Sequence, residues 1–487
     1  MRNIDLDYEL MPFLFRSESN DDIFLSAVHG DFYWLNKSVF DSLLGQGKIQ
    51  DSNIVQDLLS RQFISVDLSQ SIDVAATKLR SRKIFLRDFT SLHMLVTTLR
   101  CNQHCEYCQV SCEGDDAVRF DMSKQVATRI VDTIFQTPSN CIKIEFQGGE
   151  PTLNWDIIPH VIEYAKEINK IHRKKVDFVV CTNLTTMNAE KFEYLSNHDV
   201  CISTSLDGPP PLHDVCRKQR IGTSSHQLFE KNLELGRSIV GYDKIDALMT
   251  TSRYSLNKCR EIIDEYVRLG FHGIFLRSLN PYGFASEQAS VLGYSVQEFI
   301  EFYKNCLEYI LELNSQGTVF TEYYTALLFK RIMTSQSTGF VDLQSPSGAG
   351  ISGIIYDYNG DVYPADEGRM LARMGDQRFL MGNVIDHGFK EIFNGYVLRE
   401  IVENTCLETI PGCSDCVYSP YCGADPIRNY LEYGSLIGKN PGSNFCQKNM
   451  AIFDYIFGKI KEKDNFFLNT VWSWITPDAR GLMYENV

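Results

Sequence analysis

Cys101-Asn-Gln-His-Cys105-Glu-Tyr-Cys108 places three thiols within eight residues, directly after the apolar run of residues 92–99. That run has the composition of a strand buried in a sheet, and the polar residues after it read as the loop at its carboxyl end. Three sulfurs this close can hold three corners of an iron–sulfur cubane and leave the fourth iron without a protein ligand. A structural metal site is normally closed by a fourth ligand, whereas reactive metal centres keep a position open. The triplet therefore reads as an open iron centre; taken alone, it also fits half of a zinc site.

From about 90 to 320, strand-like runs at 92–99, 142–146, 176–181, 201–206, 244–250 and 273–279 alternate with helical patterns at 123–135, 155–171, 189–196, 225–240 and 257–269. Six strand–helix units with short crossovers predict an α/β fold, a partial (β/α)6 TIM-type barrel of parallel strands. Chemistry in such folds gathers at the carboxyl ends of the strands. Those ends are polar here: Gln147-Gly148-Gly149-Glu150-Pro151, Cys181-Thr182-Asn183 and Ser205-Leu206-Asp207-Gly208-Pro209.

Bulk properties narrow the class. A chain of 487 residues, 44% hydrophobic and 22% charged, has room for several globular domains. Its net charge of −15 argues against a nucleic-acid partner. Residues 1–9 lack the basic-then-apolar pattern of a secretion signal, and no run reaches the ~18 apolar residues that span a membrane. Fifteen cysteines then predict a cytoplasmic protein whose thiols serve as ligands more than as disulfides.

With the triplet, an aromatic Tyr107 before its last cysteine and the ordered strand ends in place, residues 90–320 resemble the radical S-adenosylmethionine (SAM) enzymes. The resemblance implies that Cys101, Cys105 and Cys108 bind a 4Fe-4S cluster whose open iron takes SAM. Gly148, Gly149 and Glu150 match the family's GGEP segment, where the glycines would let the backbone approach the ligand and Glu150 would accept from its ammonium. Asn183 and Ser205 are implied SAM contacts, with Asp207 structural. Arg217 reads either as a partner of the SAM carboxylate or as a helix contact. Cys112 is set aside, since a fourth thiolate would block SAM. Cys141, Cys181, Cys201, Cys216, Cys259 and Cys306 read as buried small hydrophobes.

Residues 1–85 show short β-type runs at 13–15, 23–25 and 31–35, helical spacing at 38–44 and 54–62, and a return to strand at 63–66. This is a small winged-helix-like module. It is similar to the PqqD-like domains that capture leader peptides, which work by strand addition to a sheet edge; a plain packing domain or a DNA-binding winged helix are the other readings.

A second cysteine set, Cys413, Cys416, Cys422 and Cys446, supplies four ligands for a closed site. The preceding stretch 355–364 reads as a hairpin with an Asn-Gly turn. Residues 340–450 resemble the SPASM domain, which carries two auxiliary 4Fe-4S clusters. Ser347, Ala365 and Pro426 stand where that family has the cysteines of one of them, so the resemblance implies one auxiliary cluster kept and one lost. Cys406 fits neither set. Asp366 stands where related maturases have a candidate proton acceptor, and otherwise reads as a carboxylate capping the hairpin. Residues 451–487 form a C-terminal helix, patterned over 448–465, and a tail whose Trp472 and Trp474 read as packed.

Residues 95–101, 108–111 and 422–426 are similar to the His-Xaa-Ser system radical SAM maturases. That resemblance implies an enzyme that takes hydrogen from a ribosomally made precursor peptide, with an external electron donor and a partner radical SAM maturase. Two alternatives stay open: an anaerobic sulfatase-type formylglycine maturase, and a non-catalytic scaffold holding structural zinc.

Overall fold

Leu92–Thr98 (β1), Cys141–Gly148 (β2), Lys175–Cys181 (β3), Cys201–Ser205 (β4) and Ile245–Leu248 (β5) lie side by side in one parallel sheet. The computed structural model describes residues 7–476 apart from 19–20, 46–48, 110–111, 115 and 223. Val110 and Ser111 of the His-Xaa-Ser resemblance, and the tail beyond residue 476, therefore lie outside the described residues.

Helices Lys124–Ile134, Ile157–His172, Ala189–Asn197 and Ser225–Val240 return the chain between strands. Ser123, Asn188 and Ser224 cap three of them by accepting the N–H of Val126, Lys191 and Gln227, satisfying donors that a helix start leaves free. Period-two alternation sorts β2: Ile142, Ile144 and Phe146 are buried on one face, and Glu145 and Gln147 take the other.

The sixth expected strand departs from this plan. Of residues 273–279 only Gly273–Ile274 is strand, and it pairs with Thr321–Glu322 in a separate two-stranded sheet. Just beyond it, the Leu276 N–H donates to the Glu322 carboxylate at 3.2 Å, a side chain taking the place of a ladder partner. The sheet instead grows at its other edge. Gly353–Tyr356 (β6) pairs parallel to β1, and Asp361–Tyr363 (β7) and Gly382–Asn383 (β8) follow antiparallel. The resulting order is β5-β4-β3-β2-β1-β6-β7-β8. The β6–β7 hairpin closes at Asn359-Gly360, where Gly360 has φ +93°, a conformation glycine adopts without penalty.

The chain divides into two compact units: Asp88–Tyr324 with Gly348–Val402, and Met1–Arg87 with Thr325–Ser347 and Glu403–Val487. The stretch 340–450 thus contributes to both.

In the second unit, Phe13–Ser17, Asp22–Ala27 and Phe32–Asn36 form an antiparallel sheet, followed by helices Lys37–Leu44 and Ser52–Ser60. One face of the sheet, with Ile23, Leu25 and Leu35, buries Phe40, Leu43 and Leu58 of those helices. The opposite face carries Phe24, Phe32 and Trp34. Phe24 packs on Phe457 and Tyr418 with ring centroids 4.8 and 6.0 Å apart, and Phe32 on Phe457 at 5.2 Å. Ser26 Oγ also donates to the Val417 carbonyl at 2.7 Å. Both faces of the module are therefore covered. The C-terminal helix runs Asn444–Lys461 and restarts as Asn465–Ile475, with Lys463 at φ +53° between them. Trp474 is buried and Trp472 packs on Phe329 at 5.3 Å.

Candidate active site

The triplet lies where β1 ends, and its loop is itself part of a sheet that periodicity does not reveal. Gln103–Cys105 pairs antiparallel with Arg217–Gln219, Cys105 opposite Arg217. The loop is anchored at its root by Arg100, which donates to Asp121 at 2.8 and 2.6 Å. Gly148 and Gly149 press against the same root: a Cβ there would come within 2.3 Å of the Thr98 carbonyl and 2.2 Å of the Arg100 carbonyl. Their smallness thus admits the cysteine loop's backbone on one side.

Asp207, fully buried, is the hub behind the loop. Its carboxylate accepts from Arg217 Nε at 2.9 Å and Nη2 at 3.4 Å, from the Tyr107 hydroxyl, and from the Thr250 N–H at 3.2 Å. Arg217 therefore pairs with Asp207, a third role beside the two expected for it, and its guanidinium stacks 5.3 Å from the Tyr107 ring centre. Burial pushes the Tyr107 hydroxyl far above its ordinary range, so it acts as a donor.

Glu150 is held inside the protein. It is 1% exposed, and its oxygens accept from Thr152 N (3.1 Å), Thr152 Oγ1 (2.6 Å), Thr182 Oγ1 (2.7 Å) and Asn183 N (2.8 Å). With those bonds made inside the protein, it braces the end of β3. Asn183 in turn donates from Nδ2 to Asn102 Oδ1 at 2.9 Å, tying that strand end to the cysteine loop.

Cys101, Cys105, Cys108, Gly148, Gly149, Asn183, Ser205, Arg217 and Asp366 all line one cavity of about 350 Å³, within the first unit. Its polar lining suits a charged cofactor. Gln103 Nε2 is a buried donor without a protein acceptor at this wall, a group that a cluster sulfur or thiolate would satisfy. Burial also drives the Cys105 thiol well up, so a thiolate there needs a compensating cation such as iron. The residues fit a cluster with SAM beside it. Asp366 opens helix Asp366–Arg373 and accepts from Arg369 Nε at 2.9 Å. The sequence reading gave Glu145 and Gln147 no role and took Cys181 as a buried small hydrophobe; all three line the same cavity, where Gln147 Nε2 (2.5 Å) and Cys181 Sγ (3.2 Å) both donate to Glu145 Oε1. The alternation of β2 was the available signal. Cys112, set aside above, is also at this wall. Of the scattered cysteines, Cys216 and Cys306 are buried as expected, while Cys141 and Cys201 are exposed at the starts of β2 and β4.

In the other unit Cys413, Cys416, Cys422 and Cys446 line a second cavity of about 220 Å³, walled by Leu407, Val417, Met450 and Phe453. Turns carry the first three cysteines, with Cys416 N donating to the Cys413 carbonyl at 3.1 Å and Cys422 N to the Tyr418 carbonyl at 3.0 Å. Cys446 sits in the first turn of helix Asn444–Lys461 and donates its N–H to Ser443 Oγ. Burial, reinforced by the neighbouring thiols, pushes Cys413 and Cys422 up to about 12 and Cys446 to about 11. Four such thiolates coexist only around positive charge, as in a cluster. Cys406 does not line this cavity. Among the described residues no three or more His, Cys, Asp or Glu side chains are arranged to hold a metal ion; the thiols of both sets stand around cavities, and a cubane is wider than an ion. No described helix is long and apolar enough to cross a membrane.

Residues 95–239 match the model of the Radical SAM superfamily. The Cysteine-type anaerobic sulfatase-maturating enzyme of Clostridium perfringens is 22% identical over 379 residues, covering 74% of this chain and 94% of that relative. The Radical SAM cyclopropyl synthase TigE of Paramaledivibacter caminithermalis is 23% identical over 291 residues, covering 56% and 57%. Among solved structures, anSMEcpe with bound AdoMet superposes with TM-score 0.63 at 19% identity, over 79% of this chain and 98% of the other. Streptococcus suis SuiB bound to precursor peptide SuiA superposes with TM-score 0.53 at 14% identity, over 91% and 100%. Residues 95–239 are thus a domain of the radical SAM superfamily, and the protein is an enzyme. It is related to the sulfatase-maturating enzymes and shares its fold with SuiB.

Proposed function

We propose that the protein is a SPASM-type peptide maturase of the His-Xaa-Ser kind, acting on a ribosomally made precursor peptide. In this reading Cys101, Cys105 and Cys108 hold a SAM-binding 4Fe-4S cluster, and Cys413, Cys416, Cys422 and Cys446 hold a single auxiliary 4Fe-4S cluster. Residues 1–85 act as the PqqD-like capture module, 90–320 as the barrel, 340–450 as the SPASM-like domain and 451–487 as its C-terminal helix and tail. An external donor supplies electrons, and a partner maturase completes the system. The observation that carries the reading is the convergence of the three thiols and three polar strand ends on one cavity, a size ordinary for small-molecule sites.

When bound, the cluster and SAM supply a carbon-centred radical that takes a hydrogen atom from the substrate. The chain's own residues hold this centre rigid. Asp207 fixes Tyr107 and Arg217 against Cys105, Glu150 fixes the backbone of Asn183, and Asn183 fixes Asn102. Ser205 and Arg217, together with Gly148 and Gly149, face SAM. Glu145 and Cys181 present the polar wall to the substrate, and Asp366, oriented by Arg369, takes up a proton where the product requires it.

The sulfatase-type reading is favoured by one observation, the coverage of 94% of a sulfatase-maturating relative. Mass spectrometry of candidate precursors and of a sulfatase peptide, each incubated with reconstituted protein, separates the two: a His-Xaa-Ser precursor altered while the sulfatase peptide is untouched supports the proposal, and formylglycine in the latter overturns it. Capture is tested on the intact chain, because the N-terminal sheet also walls the auxiliary region. If a labelled precursor binds equally well with and without its leader segment, the capture role is lost.

A further inference from the structure

The four-cysteine cavity is not walled by its own neighbourhood alone. Phe15 and Arg16, on the N-terminal strand Phe13–Ser17, line it together with Cys413, Cys416, Cys422 and Cys446. Arg16 is held by a defined network. Its Nη2 donates to Tyr418 Oη at 2.7 Å and to Asp454 Oδ1 at 2.6 Å, and its guanidinium stands 4.8 Å from the centre of the Tyr418 ring. Tyr418 Oη donates to the same Asp454 oxygen at 2.6 Å, and Glu18 lies 3.6 Å from Arg16. Tyr418 sits in the turn between Cys416 and Cys422, so the network is anchored in the cysteine loop. The remaining wall is largely apolar, which strengthens any charge placed there.

We infer that Arg16 is a positioning residue of the four-cysteine centre, the cation by which the N-terminal sheet sets that centre's reduction potential, with Asp454 as its counterweight. The inference rests on the auxiliary-cluster reading above. A cluster held by four thiolates is anionic and gains a further negative charge on reduction. Net charge and burial around a cluster are among the levers that set its potential. A nearby cation favours the reduced state, and an unopposed carboxylate disfavours it. Removing Arg16 does both, since Asp454 then keeps only the neutral Tyr418 hydroxyl while Glu18 stays paired with Lys461. Removing the charge of Asp454 acts in the opposite sense. A contact that merely held the fold together would show no such reversal of sign.

The test is an EPR-monitored redox titration of the full reconstituted chain, with iron counted in each sample. Arg16→Gln, Arg16→Lys and Asp454→Asn should all retain about eight irons, two cubanes' worth. Arg16→Gln should shift the auxiliary cluster's reduction equilibrium about tenfold toward the oxidised form, about 59 mV for one electron. Asp454→Asn should shift it the other way, Arg16→Lys should stay near the parent, and the SAM-binding cluster should not move. An auxiliary cluster whose potential is unmoved, or moved the same way by both charge removals, overturns the inference alone. Loss of the auxiliary iron in both Arg16 variants makes the contact structural and also overturns it. A parent protein with only about four irons, all lost in Cys105→Ala, overturns the auxiliary-cluster reading and the inference with it.

Discussion

The two cysteine centres contrast in what surrounds them. Cys101, Cys105 and Cys108 share a cavity with Gln103, Glu145, Gln147, Asn183, Ser205 and Arg217, a polar wall at strand ends. Cys413, Cys416, Cys422 and Cys446 share one with Leu407, Val417, Met450 and Phe453, an apolar wall closed on one side by Arg16. A centre that must bind and orient a charged small molecule needs hydrogen-bonding groups around an open position. A centre that is coordinatively complete needs only enclosure, and its properties then follow from the few charges that reach it.

The sharpest way to break this contrast is to remove one thiol from each set. Cys105→Ala should abolish 5′-deoxyadenosine formation altogether, whereas Cys416→Ala should retain SAM cleavage, lose about half the iron and fail to yield modified peptide; chromatography of the nucleoside and an iron assay report both. Equal loss of SAM cleavage in the two variants would erase the distinction.

Asp207→Asn probes the rigidity of the first centre. Breaking a buried ion pair from one side costs about 3–5 kcal/mol, read as a lowered urea midpoint and weakened SAM binding; an unchanged midpoint would remove Asp207 from its place as hub. Gly149→Ala drives a methyl onto the Arg100 carbonyl, and overpacking of this kind costs about 1–3 kcal/mol. Circular dichroism melting measures it, and a neutral result would mean that the cysteine loop yields freely.

A further contrast distinguishes the units by pH. His93 and His213, both in the first unit, are kept neutral by burial and brought down to about 3. Unfolded histidines titrate near 6.5, so below about pH 6.5 the unfolded chain binds more protons than the folded one. Stability is then fully present above that pH and falls with acid by about 1.4 kcal/mol per pH unit for each histidine. Urea unfolding between pH 6.5 and 5 should show this slope, reduced by one proton's share in His93→Gln. An unchanged slope would show that His93 is not held neutral.

Much of the first unit was legible because its signals are local. The apolar run before Cys101, the helical spacing at 123–135, 189–196 and 225–240 and the Asn-Gly hairpin each lie within a few residues of the structure they specify. The triplet was legible for the same reason, since ligand spacing is itself a sequence property. The bonds of Glu150 to Thr152, Thr182 and Asn183 were not legible, because a carboxylate next to two glycines looks the same whatever it meets in the fold. The sixth strand misled because an apolar run does not say which edge will receive it.

By itself, the sequence determined where the thiols and polar strand ends fall along the chain, and with them the chemistry available. Only the tertiary structure decided their partners. Asp207 gathers Tyr107, Arg217 and Thr250 from three segments, and Arg16 meets Tyr418 across 402 residues. Such contacts follow from how sheets and helices stack, where burial makes each charge seek a partner wherever the fold brings one, and no local pattern encodes that choice.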